Sequence, residues 1–203
     1  MQNQHNEKRG DIACAIFAGG RNARMGRHKA LLDYNGKKFI EIIRDRMDKW
    51  FYEIFIVTNN SLPFSDIRQS PVHEDIIEAK GPLGALHTAL TVTGKDKVFC
   101  IACDMPFGHD PMVKRLIQAS EKNGFDCFVP GTIRGPEPLF AIYRKTIRDF
   151  VKEEIEAGQL KISEMLKKCR TVYVEIKKDE DELININTPG EYKRYGSKIQ
   201  DMA

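Results

Sequence analysis

Six residues from Arg21 to Lys29 could do phosphate chemistry, because Arg21, Arg24, Arg27 and Lys29 put four permanent cations beside Gly26 and His28, just after the pair Gly19-Gly20. Paired glycines let backbone N–H groups approach an anion closely, and fixed positive charges neutralise it. The loop is not a Walker A loop, because Gly26 is followed by Arg27, and Lys29 by Ala30 rather than Ser or Thr. It is not a dinucleotide fingerprint either, because its first two glycines are adjacent. A dinucleotide pyrophosphate is served by a helix N-terminus alone. So many cations suit a triphosphate whose charge shifts during reaction. The alternative is a solvated basic loop; the glycine pair directly after a buried strand favours the phosphate reading.

A second candidate is Asp104, in Cys103-Asp104-Met105-Pro106. A carboxylate at the C-terminal tip of a strand suits Mg²⁺, which takes one or two carboxylates together with phosphate oxygens and water. The competing role is a turn cap. Asn59-Asn60 ends another strand and either touches a nucleoside or caps a turn. Asn185 and Asn187 are two apart, so on a strand they point the same way; they face the metal and phosphates or line a turn. His87 shares a helical face with Leu83, Leu86 and Leu90 and reads as a core histidine. Cys100-x-x-Cys103 lies in an apolar run without a second cysteine pair, so strand packing is expected rather than zinc or redox chemistry.

The elements that position these groups follow from hydrophobic patterning. Ile12 to Ala18, Glu53 to Thr58 and Val98 to Ala102 are apolar runs of the kind buried inside a parallel sheet. Val72 to Asp75 is a short strand ending in acid. Phe39, Ile43, Met47 and Trp50 recur at helical spacing. Gly81-Pro82 opens a helix, with proline where the first turn tolerates it. Pro111 to Asn123 is an amphipathic helix ended by Gly124. Cys127 to Pro130 is a strand, Gly131 to Pro138 a turn-rich loop, and Pro138 to Tyr143 a strand. Helices follow over Thr146 to Glu156 and Ile162 to Lys168, then a β-rich run from Thr171 to Ile176. Asp179 to Glu182 reads as a solvated loop. Thr188-Pro189-Gly190-Glu191 is a capping box opening a last helix. The strand–helix alternation predicts a three-layer α/β/α fold with a mostly parallel sheet and one late antiparallel strand or hairpin.

The chain has 203 residues, a length expected of one domain over 11–203 after a disordered tail over 1–10. Its net charge of +3 does not imply a nucleic-acid partner. No run of 18 apolar residues suggests a membrane span, and the polar start MQNQHNEKRGD does not read as a signal peptide. Five dispersed cysteines fit reduced thiols and a cytoplasmic setting.

Five segments together resemble one family, the molybdenum cofactor guanylyltransferases of the nucleotidyltransferase superfamily. They are Ala18 to Lys29 (AGG…RMG..K), Gly81 to Leu83 (GPL), Cys103 to Pro106 (CDMP), Pro138 to Tyr143 (PLFA-Y) and Asn185 to Pro189 (NINTP). The resemblance implies a Rossmann-like sheet of the nucleotide-diphospho-sugar transferase type. It implies transfer of GMP from GTP to molybdopterin, releasing pyrophosphate. Lys29, Arg24 and Asp104 would be catalytic, with Asp104 holding Mg²⁺. Phe17, Ala18, Gly19, Gly20, Thr58, Asn59, Asn60, Asp75 and Gly81 would lie with them around the nucleotide, and Asn185 and Asn187 on the acceptor side. Cofactor carriers or molybdoenzyme-specific chaperones are the implied protein partners of a monomer or small homo-oligomer. Many members carry Asp before the signature lysine, where this chain has His28. The nearest rival readings are a cytidylyltransferase or sugar-phosphate nucleotidyltransferase and, in another class, a non-catalytic nucleotide- or pterin-binding protein. The latter would be expected to lose Asp104 or Lys29, and both are present.

Overall fold

The computed structural model describes residues 8–19, 28–34, 36–106, 110–132, 134–176, 183 and 186. Its strands are β1 (Ile12–Phe17), β2 (Asp33–Tyr34), β3 (Lys37–Lys38), β4 (Ile54–Thr58), β5 (Val72–Glu74), β6 (Lys97–Ala102), β7 (Cys127–Thr132), β8 (Gly135–Pro136), β9 (Phe140–Arg144) and β10 (Thr171–Glu175). Its helices are α1 (Phe39–Met47), α2 (Gly81–Val92), α3 (Asp110–Ala119), α4 (Arg148–Glu156) and α5 (Ile162–Leu166). The main sheet runs β10-β7-β9-β6-β1-β4-β5, with β8 paired to β7 and the hairpin β2-β3 apart. β1 is parallel to β4 and β6, β4 to β5, and β7 to β10, whereas β9 is antiparallel to β6 and β7. The sheet is mostly parallel, as expected, and its late antiparallel part holds two strands, β8 and β9.

β1 shows why the centre is a strand buried on both faces. Ile12, Cys14 and Ile16 join one apolar layer with α1 and α3, while Ala13, Ala15 and Phe17 join the other with α2, α4 and α5. Alternate residues point to opposite faces, so six consecutive apolar residues serve two cores at once. Phe99 meets Phe51 stacked at 5.3 Å and Phe140 edge-on at 5.0 Å, fixing β6 against β9.

Several element limits differ from the sequence expectation for local reasons. α1 ends at Met47, and Trp50 packs into the core from the following turn. α3 ends at Ala119 instead of reaching Gly124. The Ser120 hydroxyl donates to the Ile117 carbonyl at 2.7 Å, diverting an acceptor at the helix end. Gly131 to Pro138 is not all loop: β7 extends to Thr132 and turns back as β8, with Gly135 at φ +114° in a conformation that favours glycine. Of the tail, Lys8 to Gly10 belong to the described structure, and Arg9 donates its backbone N–H to Trp50 at 2.7 Å. The acidic patch and the capping box with its last helix lie outside the described residues. Among the described residues no helix is long and apolar enough to cross a membrane.

The chain leaves β1 toward β4 and β5, then crosses back to β6 on the other side of β1. That reversal opens a crevice beyond the C-terminal ends of β1 and β6, where α/β sheets bind ligands.

Candidate active site

The crevice is assembled from backbone first. At its floor, Cys103 donates its N–H to Phe17 O at 3.0 Å, and Ala18 donates to Val57 O at 2.8 Å, locking together the tips of β6, β1 and β4. Phe17 and Ala18 are buried, so their side chains are packing and only their backbone can serve a ligand. Thr58 is buried as well; its hydroxyl oxygen lies 3.4 Å from Ala18 O and accepts the Asn60 N–H at 3.3 Å, so it staples the two strand ends. Gly19 runs alongside the β4 tip, its Cβ position 3.9 Å from Asn59 N. Gly20, Arg21, Arg24, Met25, Gly26 and Arg27, the rest of the expected phosphate loop, lie outside the described residues.

The loop returns at His28. This side chain packs edge-on against Phe64 at 4.9 Å, its Nδ1 is buried without a hydrogen-bond partner, and burial lowers its pKa. His28 therefore anchors the end of the loop to the core, where its protein neighbour is apolar. Lys29 opens a single 3₁₀ turn, Lys29–Leu31, whose Ala30 is fully buried. Its Nζ stands 3.7 Å from Asp104 Oδ2, with the two side chains 24 and 25 % exposed. Both are mostly buried. Burial raises the Asp104 pKa, and the Lys29 charge only partly opposes that rise. A carboxylate so placed is under-compensated, and a divalent cation with nucleotide phosphates would supply the missing charge; a single carboxylate is a donor set that suits Mg²⁺, which takes one or two carboxylates. Among the described residues no group of three or more His, Cys, Asp or Glu forms a protein cage for a metal. Asp104 is tied in turn to the C-terminal segment, because Ile186 donates its N–H to Asp104 O at 2.7 Å and is itself buried. Asn185 and Asn187, on either side of Ile186, lie outside the described residues.

On the other flank, β4 and β5 build a corner. Asn60 Oδ1 accepts the Leu62 N–H at 3.1 Å, so this asparagine caps a turn; Asn59 and Asn60 are both exposed. Glu74 Oε1 accepts both the N–H and the hydroxyl of Ser61, at 2.9 and 2.6 Å, and pins the corner to β5. Asp75 donates its N–H to Thr58 O at 2.9 Å, while its Oδ1 is buried with no partner. Burial alone pushes the Asp75 carboxyl up to about 6. The following segment winds tightly onto α2. The Ile76 N–H donates to Thr88 Oγ1 at 2.9 Å, and that hydroxyl bonds Gly84 O at 3.0 Å. Ala79 and Gly81 both take positive φ, +57° and +59°. Gly81 thus sits at the start of α2 as expected, and its neighbour Ala79 carries the strain that a non-glycine bears there.

His87 is buried in α2, as a core histidine should be. Cys100 and Cys103 are buried free thiols, and burial pushes Cys103 up to about 12, which makes it unreactive. One residue close to Asp104 escaped the sequence reading. Glu137, between β8 and β9, is half-buried, and both burial and the Asp104 charge raise its pKa. The only sequence signal was an acid directly before the Pro138-Leu139-Phe140 strand.

Comparison with known proteins places this crevice in a family. Residues 14–172 match the family model of the MobA-like NTP transferase domain. A protein of Peptoclostridium acidaminophilum named probable molybdenum cofactor guanylyltransferase is 34 % identical, covering 92 % of this chain and 89 % of its own. The crystal structure of molybdopterin-guanine dinucleotide biosynthesis protein A from Archaeoglobus fulgidus superposes with a TM-score of 0.80 at 27 % identity, over 94 % of this chain and 100 % of that one. A CMP:2-keto-3-deoxy-manno-octonic acid synthetase complexed with CTP shares the fold at 12 % identity and TM-score 0.72, over 95 % of this chain and 100 % of that one. The Lys29–Asp104 pair at the sheet reversal and these matches converge: the chain belongs to the MobA-like NTP transferase family and, within it, to the molybdenum cofactor guanylyltransferases.

Proposed function

We propose that this protein transfers GMP from GTP to the terminal phosphate of molybdopterin, forming the guanine dinucleotide cofactor and pyrophosphate. The observation that carries the proposal is the opposite-charge pair Lys29–Asp104, 3.7 Å apart at the point where the strand order reverses. The names of its relatives supply the base and the acceptor.

The acceptor phosphate is anionic at neutral pH and attacks the α-phosphorus without a general base. What the protein must supply is placement of two polyanions in line and relief of their repulsion. Lys29 is held by its turn beside the crevice and would meet the oxygens on which charge grows as the bond to pyrophosphate breaks. Arg24 and the N–H groups of Gly19 and Gly20 are assigned to the same phosphates. Asp104 would hold Mg²⁺, which would supply positive charge to offset that of the phosphates. Asp75 and Asn59, at the β4–β5 corner, are assigned to the nucleoside.

The test is steady-state kinetics on two variants. Lys29→Ala is expected to lower kcat by a factor on the order of 10²–10³, as for other preorganised charge donors, with a smaller change in KM, because the contact strengthens in the transition state. Lys29→Arg should restore only part of the rate. Asp104→Ala should abolish turnover while Tm stays within about 4 °C of wild type, roughly 1 kcal/mol for a chain of this length. Wild-type rates in either alanine variant would sink the assignment.

A further inference from the structure

Lys29 needs more than its charge to act on phosphates. Its ammonium ends a flexible four-carbon stem, and a charge donor has a large rate effect only when it is held in place before reaction. What the structure fixes is the turn that carries it. On one side the fully buried Ala30 sits in the core. Leu32 donates its N–H to Lys29 O at 3.1 Å, and Leu32 O accepts the Phe39 N–H at 3.0 Å at the entrance to α1. On the other side His28 O accepts the Leu31 N–H at 2.9 Å, so the His28 backbone closes the turn. The His28 ring then meets the Phe64 ring at 4.9 Å and an interplanar angle of 85°.

Phe64 is the fixed end of that contact. It is fully buried, in the same apolar layer as Ala30, Ile40 and Ile56. It closes a single 3₁₀ turn, Leu62–Phe64; its N–H donates to Ser61 O and its carbonyl accepts the Ile67 N–H, both at 2.9 Å. Glu74 pins Ser61 and Asn60 pins Leu62, so Phe64 is built into the β4–β5 corner. His28 Nδ1 is buried without a hydrogen-bond partner, so that edge of the ring contributes packing and not a hydrogen bond. Contacts therefore run from the corner through Phe64 and His28 to the Lys29 turn, whose ammonium stands 3.7 Å from Asp104 Oδ2.

We propose that Phe64 and His28 are positioning residues: their edge-to-face contact ties the Lys29 turn to the β4–β5 corner and sets Lys29 in place for the phosphates before reaction. Neither ring has to touch the substrate. This role rests on the guanylyltransferase reading above and adds to it two residues that act only through Lys29. An aromatic edge on an aromatic face has a preferred geometry, which an aliphatic contact of the same area lacks.

The test is a double-mutant cycle, which isolates what one residue does through another. His28→Ala should lower kcat for GMP transfer about 2- to 10-fold, the factor to which an aromatic pair of ordinary strength corresponds, with the KM for GTP moving less. His28→Phe keeps an aromatic edge and should retain most of the rate. Phe64→Leu keeps apolar burial but loses the ring face; it should match His28→Ala, and the double variant should be no slower than either alone. In a Lys29→Ala background, His28→Ala should lower kcat no further. A merely structural role would cost the same factor in both backgrounds, and that result overturns the proposal. So does a His28→Phe as slow as His28→Ala, which would put an imidazole nitrogen on the substrate. If His28→Ala does not fold, Phe64→Leu carries the cycle. Calorimetric titration with inorganic pyrophosphate and Mg²⁺ repeats it without turnover: affinity should fall in His28→Ala and fall no further when that change is added to Lys29→Ala, and an equal fall in both overturns the proposal as well. If wild-type protein transfers no GMP to molybdopterin, the guanylyltransferase reading fails instead, and the pyrophosphate cycle still reports on His28.

Discussion

Asp75 carries a cost that a merely structural residue would not. Its Oδ1 is buried without a partner, and its carboxyl is raised from an ordinary value near 4 to about 6. Because the folded pKa is the higher one, the folded state binds the extra proton between about pH 4 and 6, so stability falls as pH rises through that window and is level above it. Asp75→Asn removes the effect. Its Tm should equal that of wild type near pH 4 and exceed it at pH 7 to 8, which a melting series across pH would read. The same ionisation makes Asp75 an acceptor for nucleoside donors, so GTP affinity in wild type should weaken below about pH 6 by more than it does in Asp75→Asn. A Tm difference that does not vary with pH would show that the Asp75 carboxyl is solvated. Lys29 and Asp104 teach a related lesson. Their identities, and the places of Asp104 at a strand tip and of Lys29 at the end of the loop after β1, are local facts, readable from Asp-Met-Pro and from Gly-Gly followed by the cationic run. Their mutual burial is not, because it depends on how β1 and β6 lie together.

At the scale of elements, the segment from Asp75 to Gly81 is the part most exposed to small changes. A Cβ on Gly84 would stand 3.0 Å from both Ile77 O and Lys80 Cβ, one of them backbone. Gly84→Ala should therefore push this segment off α2, costing about 1–3 kcal/mol, the usual penalty of overpacking. GTP binding should weaken along with it, as Asp75 hangs from the same segment. Calorimetric titration of GTP alongside a denaturant melt would check both, and unchanged binding would separate the segment from the nucleotide. The sequence showed α2 and its proline start clearly, because helix-entry chemistry is local. It did not show β8, since two glycines and two prolines between Gly131 and Pro138 read as loop. Nor did it show Glu137 near Asp104. That placement depends on antiparallel β9 lying against β6, a pairing between segments far apart in sequence.

For the whole molecule, the fold sets the phosphate chemistry and leaves the base open. The same architecture holds CTP in a synthetase only 12 % identical to this chain. The periodicities of the strands and helices were enough for the three-layer sheet, because two-sided burial of β1, β4 and β6 writes itself as unbroken apolar runs. Neither nucleotide nor acceptor is written that way; both came from five short motifs in order and are carried by the relatives. The central claim is thus guanylyl transfer to molybdopterin. Its most direct test is pyrophosphate release by wild-type protein with Mg²⁺ and molybdopterin, comparing GTP, CTP and ATP as donors. The account expects release with GTP well above the other two, in step with formation of the guanine dinucleotide and lost when molybdopterin is omitted. Faster release with CTP, or equal release with all three, would contradict it.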